Sequence, residues 1–125
     1  MNRTEEQDMF VVFDWQRMHP KLDRLIWHNC NEGKRSPVTG RRLKRAGLKR
    51  GVPDITCAIP AHGFHGFYIE MKVGSNKPSV EQKEMMRDLF SMGYKVMVCY
   101  SAEEAIRELR DYITGNDSLA NIFKG

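Results

Sequence analysis

A chain of 125 residues, 41% hydrophobic and 29% charged, is long enough to bury a core as one domain without disulfide or metal staples. No apolar run approaches the roughly 18 residues needed to span a bilayer, and "MNRTEEQDMF" lacks the apolar core of a signal peptide, so the expectation is an intracellular, cytoplasmic protein with no membrane partner. The net charge of +4 is concentrated in one place: eight Lys or Arg and no Asp or Glu lie between Lys34 and Arg50, and the remainder holds 12 basic against 16 acidic residues.

In chain order, Thr4 is a candidate N-cap for a helix through "EEQDMFVVFDWQRMH", with Met9, Val12, Phe13 and Trp15 near helical spacing and Pro20 closing it. "LDRLIWHNC" has the β-branched and aromatic character of a short strand. "EGKRSPVTGRRLKRAGLKRG" reads as a long loop with at most a short helix inside, a feature that is usually functional or mobile. Its Lys34, Arg35, Arg41, Arg42, Lys44, Arg45, Lys49 and Arg50 form the kind of dense basic stretch that contacts phosphates. The plainer reading is a solvated loop that aids solubility.

"DITCAI" and "GFYIEMKV" read as two strands of an antiparallel hairpin joined by "PAHGFH". "KPSVEQKEMMRDLFSMGY" is a helix capped by Ser79 and ended by Gly93, with Met85, Met86, Leu89 and Phe90 along one side. "KVMVCY", apolar on both faces, suits a central strand covered by helices on both sides. Ser101 with Glu104 predicts a capping box for "AEEAIRELRDYI", which Gly115 terminates, and the tail from Asn116 reads as weakly structured. Cys30, Cys57 and Cys99 form no CxxC pair and read as buried thiols. The result is an α/β domain over residues 1–115 followed by a tail, 116–125. Its sheet is mixed, an antiparallel hairpin extended by a parallel strand through a βαβ crossover.

The hairpin carries the chemistry. Side chains alternate along a strand, so Tyr68, Glu70 and Lys72 share one face. Folding about residue 62 brings Asp54, at the start of the first strand, beside Glu70. Two carboxylates with a neighbouring ammonium suit a hard divalent cation and a hydrolytic water, and the carbonyl of Met71 can complete such a set. Lys72 can orient the nucleophile or stabilise developing charge on phosphorus. The bland alternative is a cross-strand salt bridge on an exposed face, worth about 0–1 kcal/mol.

"GVPD", fifteen residues and "EMK" match the PD-(D/E)xK signature, and their flanks resemble the VRR-NUC (virus-type replication-repair nuclease) family over nearly the whole chain. The resemblance is carried by "TEEQ", "WHNCNEGKRS", "LKRAGLKRGVPDI", "HGFYIEMK", "SVEQKEMMRDLFSMGYKVMVCYS" and "EEAI". It implies a restriction-endonuclease-like core of about four strands flanked by helices in αβββαβα order. It further implies a DNA endonuclease dependent on Mg2+ or Mn2+, with Asp54 and Glu70 as metal-binding carboxylates and Lys72 as the catalytic lysine. An acid in the first helix should complete the site: Glu5, which aligns best, or Glu6. Gln82 satisfies an S-x-x-Q capping box with Ser79, and the family offers a glutamine from this helix to the active site. His28 and Asn29 resemble the family's histidine and a shifted polar neighbour, the expected proline being absent.

No recognition-helix motif appears, so structure-selective cleavage is expected, of branched or junction DNA. Standalone members of the family, typical of phages and their hosts, are similar to Holliday-junction resolvases. That implies a homodimer, formed through Met92, Tyr94 or the last helix. Two readings of other kinds stay open at this point: a non-catalytic nucleic-acid-binding module with a structural acidic cluster, and a metal-dependent hydrolase of another phosphate ester.

Overall fold

The computed structural model describes residues 3–29 and 36–124. Local capping chemistry sets the helix starts. Helix α1, Glu5–Arg17, begins at a reciprocal box in which Thr4 Oγ1 accepts from the Gln7 amide and Gln7 Oε1 accepts from the Thr4 amide. After the strand β1, Ile26–His28, a second helix α2, Pro37–Arg45, starts at Ser36 with proline in its first turn. From residue 36 onward the basic segment is therefore more ordered than its glycines suggest. Strands β2, Ile55–Cys57, and β3, Phe67–Met71, precede α3, Val80–Ser91, then β4, Lys95–Cys99, and α4, Ala102–Ile113.

The four strands form one mixed sheet in the order β1-β2-β3-β4, with β1, β2 and β3 antiparallel and β3 parallel to β4. Ile55 lies opposite Ile69 and Cys57 opposite Phe67, so the hairpin does fold about residue 62. One sheet face, with Ile26, Ile55, Cys57, Phe67, Ile69, Met71 and Cys99, packs on Met9 and Val12 of α1 and on Ala105, Leu109, Tyr112 and Ile113 of α4. Burying such side chains contributes roughly 1.5–3 kcal/mol each for the larger ones. Tyr112 also satisfies its hydroxyl by donating to the Ile59 carbonyl at 2.6 Å.

Several sequence expectations are corrected. β4 is an edge strand, not a central one; α3 and α4 both pack against it, but most of its residues are only half-buried. Its apolar character reflects helix cover on two faces, which says nothing about how many strands flank it. Ser101 caps α4 at the Glu104 amide, but Glu104 Oε1 accepts from the Tyr100 amide, so no reciprocal box closes. Phe90 is 59% exposed instead of lining the inner side of α3. The residues after Asn116 are ordered: Asp117–Leu119 form a 3-10 turn, Leu119, Ile122 and Phe123 pack on the core, and Phe123 lies between Trp15, His19 and Arg110. Gly115 follows the α4 C-cap, and a side chain there would run into the His62 ring. Of the cysteines, Cys57 and Cys99 are buried as expected, and Cys30 lies outside the described residues.

Buried polar groups on α1 are a feature that apolar periodicity passes over. Asp8, 2% exposed, takes a salt bridge from Arg3 Nε at 2.8 Å and accepts from the Ala102 amide at 3.2 Å, which ties the start of α1 to the start of α4. Gln16 donates its side-chain amide to the carbonyls of Leu22, Asp23 and Ile26, which fixes the chain entering β1. Asp8→Ala would strand the buried Ala102 amide and leave the Arg3 guanidinium with its bond to the Tyr100 carbonyl. We expect a loss of about 2 kcal/mol in denaturant unfolding; an unchanged midpoint would show that the clamp carries no net stability.

Candidate functional site

The Asp54–Glu70 juxtaposition follows from register. Asp54 continues β2 by one residue and Glu70 is its partner position on β3, since Ile55 pairs with Ile69. Both are taken out of water, Asp54 to 7% and Glu70 to 1% exposure. Asp54 Oδ2 accepts from the Met71 amide at 2.7 Å, which locks the carboxylate across the sheet end. The Lys72 amide points the other way, to the Cys99 carbonyl on β4. Backbone groups alternate along a strand, so the Met71 carbonyl shares the direction of its own N–H, toward the Asp54 side.

Helix α1 supplies a third acid. The carboxylates of Glu5, Asp54 and Glu70 offer oxygens that all lie within 4.8 Å of one another. Of the two candidate acids of α1, Glu5 joins this cluster, whereas Glu6 is exposed on the helix.

Two further side chains converge on Glu70. Lys72 Nζ stands 3.4 Å from Glu70 Oε2 and keeps only 13% of its side chain in solvent. Gln82 Nε2 donates to the same oxygen at 3.0 Å, while Gln82 Oε1 accepts from the Ser79 amide and Ser79 Oγ accepts from the Gln82 amide. Gln82 is thus both half of the α3 capping box and a buried contact of the acidic cluster. The other Glu70 oxygen, Oε1, is buried with no hydrogen-bond partner.

An unpaired buried carboxylate oxygen beside a second acid is electrostatically costly. Burial, with the Asp54 charge added, pushes the Glu70 carboxyl up to about 8 from the usual carboxylate range, against the opposing pull of Lys72. A divalent cation would relieve both causes together. The donor set, three carboxylates and a carbonyl edge, is all oxygen, which suits a hard ion.

The basic segment approaches this cluster from outside the sheet end. A groove of about 980 Å³ is lined by Arg41, Lys44, Lys49 and Arg50, by Gly51 and Val52 just before the Asp54 turn, and by Ser79 and Gln82 at the start of α3. Gly51, at φ +82°, makes this closeness possible: a Cβ there would stand 2.6 Å from the Glu81 carbonyl oxygen. Arg42 and Arg45 are exposed on α2 but do not line the groove, and Lys34 and Arg35 lie outside the described residues. His28 is exposed, whereas Asn29 is built in: its amide donates to the Asp54 carbonyl at 2.7 Å, and its side chain donates to the Pro53 carbonyl and Thr56 Oγ1. Asn29 therefore braces the strand end that presents Asp54, a role the sequence shows only as a polar residue after an aromatic one.

Comparison with known proteins agrees with the fold. A family model described as the VRR-NUC domain matches residues 4–103. A solved structure described as a VRR_NUC domain protein is 28% identical, covers 93% of each chain and superposes with a TM-score of 0.80. No curated protein matches the chain.

Proposed function

The chain belongs to the VRR-NUC family, whose function is of the nuclease type, and from that premise we propose a metal-dependent endonuclease that hydrolyses DNA phosphodiester bonds. The observation that carries this reading is the convergence of Glu5, Asp54 and Glu70 within 4.8 Å, with a buried Glu70 oxygen left unpaired. Glu5, Asp54 and Glu70, with the Met71 carbonyl, would hold Mg2+ or Mn2+. The bound cation would polarise a phosphoryl oxygen and make a water nucleophilic at neutral pH.

The protein's own groups do the rest. Asp54 is held by the Met71 amide and Glu70 by Gln82, so neither acid has to reorganise to take a ligand. Lys72 Nζ stands at the cluster, 3.4 Å from Glu70 Oε2, and there its ammonium would donate to the attacking water and offset charge that builds on the phosphate. Arg41, Lys44, Lys49 and Arg50 deliver the phosphate backbone along the groove. These contacts read no sequence, which favours selection by DNA shape.

The decisive experiment is a cleavage panel on duplex, single-stranded, flap and four-way-junction DNA with Mg2+, Mn2+ or chelator. Cleavage only with metal is the expected outcome, with branched DNA preferred. Binding without cleavage under every condition would leave the non-catalytic module instead. Replacing Arg41 and Lys44 together by alanine should weaken DNA binding uniformly across sequences and reduce the slope of log affinity against log salt by about 2; an unchanged slope would remove those residues from the DNA path. Resolving a junction takes two active sites, so the reading includes a homodimer. Met92, 70% exposed, and Phe90 are available for it, whereas Leu109, Tyr112 and Ile113 of α4 are spent in the core.

A further inference from the structure

The sheet face that presents Asp54 and Glu70 also carries an aromatic row that the hydrolytic site does not use. In register across three strands stand Trp27, Thr56 and Tyr68. Each is two residues from a member of the next row, Asn29, Asp54 and Glu70, so the two rows run side by side about 7 Å apart. Strand alternation puts both rows on one face, opposite Ile26, Ile55 and Ile69 of the core. Trp27 is 44% exposed, yet its indole N–H is pinned to Asn29 Oδ1 at 3.1 Å. Two strands away in the same row, Tyr68 is half-buried and braced edge-on by Tyr94, with ring centroids 5.4 Å apart. A large exposed ring held in one orientation is unusual for a merely solvated surface residue, because leaving it open to water forgoes its burial.

The position of the row favours one occupant. Along β2 the acids stand between the basic groove, which ends at Gly51 and Val52, and the aromatic row at Thr56. A nucleic-acid strand whose phosphates follow the groove and cross the carboxylates runs next onto Trp27. Successive bases present π-faces that stack on aromatic rings irrespective of sequence. We propose that Trp27, held by Asn29, is a stacking platform for an unpaired nucleobase adjacent to the phosphate under attack, and that it selects DNA with unpaired bases at the cut. The proposal rests on the nuclease reading for the path of the strand.

The test uses the full chain in chelator, titrated with oligothymidine and followed by tryptophan fluorescence and by direct binding. The wild type should show quenching that Trp27→Phe removes, since that variant retains only Trp15. Trp27→Phe should bind nearly as tightly as the wild type, and Trp27→Ala about 10-fold more weakly. With Mn2+ present, the ratio of single-stranded to duplex cleavage should fall by a similar factor in Trp27→Ala. Equal oligothymidine affinity in Trp27→Ala and wild type would overturn the platform. So would a Trp27→Ala protein that changes from dimer to monomer with its oligothymidine affinity intact, which would make the ring an interface between copies. A wild type that cleaves nothing yet binds oligothymidine through Trp27 would uphold the platform while the hydrolytic reading fails.

Discussion

Lys72→Ala should lower metal-dependent DNA cleavage by about 10²–10³-fold, the cost of removing one preorganised donor to developing charge, with DNA still bound. The physical case lies in where the amine sits. Its side chain is 13% exposed and its Nζ stands 3.4 Å from Glu70 Oε2, so the ammonium is held at the cluster instead of ranging through solvent. The basic groove that would carry affinity for the backbone lies on α2 and the following loop, and Lys72 is not part of it. Binding and turnover should therefore separate in this variant, as measured by single-turnover cleavage and by binding in chelator. Parallel losses in both would move Lys72 from chemistry to substrate binding. Lys72→Arg should restore little, because a planar fork does not reproduce a point charge in so confined a position.

Glu70→Gln has the second large effect, and its two consequences have opposite signs. Cleavage should fall by at least about 10³-fold with the loss of a carboxylate from the cation site. The metal-free fold, by contrast, should become more stable, because the variant removes a buried charge that faces Asp54 and has an unpaired oxygen. The pH dependence has a definite sign. The folded carboxyl is pushed up to about 8, whereas the unfolded chain ionises in the ordinary range near 4.5. Below that range Glu70 is protonated in both states and its contribution to stability is whole. As pH rises from there through about 8 the unfolded state releases its proton first, and stability drains away. In chelator at pH 8, Glu70→Gln should melt about 5 °C above the wild type, and the gap should close as pH falls toward 4.5. Added Mn2+ should raise the wild-type melting temperature and leave the variant unmoved. A wild type more stable than the variant in chelator would mean that Gln82 and Lys72 already compensate the buried charge.

Short-range chemistry made much of this protein legible in one dimension. Thr4, Ser79 and Ser101 announce three helix starts because a capping side chain acts on an amide three residues away. Alternation along "GFYIEMKV" separates the core residues from the chemical ones. Even the meeting of Asp54 with Glu70 was readable, because a hairpin's register follows from the length of its loop. Where each strand sits in the sheet is another matter. β4 has the composition of an interior strand and lies at the edge, because apolar residues record helix cover and leave strand neighbours unstated. The tail past Asn116 is polar in pattern, yet Phe123 finds a slot made by Trp15 of α1, His19 of the turn after it and Arg110 of α4.

The sequence by itself determined the α/β order, the hairpin pairing and the identity of the acid pair with its lysine, since each depends on residues close together or on one turn. Only the tertiary structure decided the rest. It brought Glu5, not Glu6, up to the acid pair, gave Gln82 its second partner, buried Asp8 as the clamp between α1 and α4, and set Trp27 in the row next to the acids. Each of those outcomes depends on how a helix or strand docks against a segment distant in the chain. Docking is fixed by packing over the whole core, and a helical or strand period repeats the same way however the element is turned.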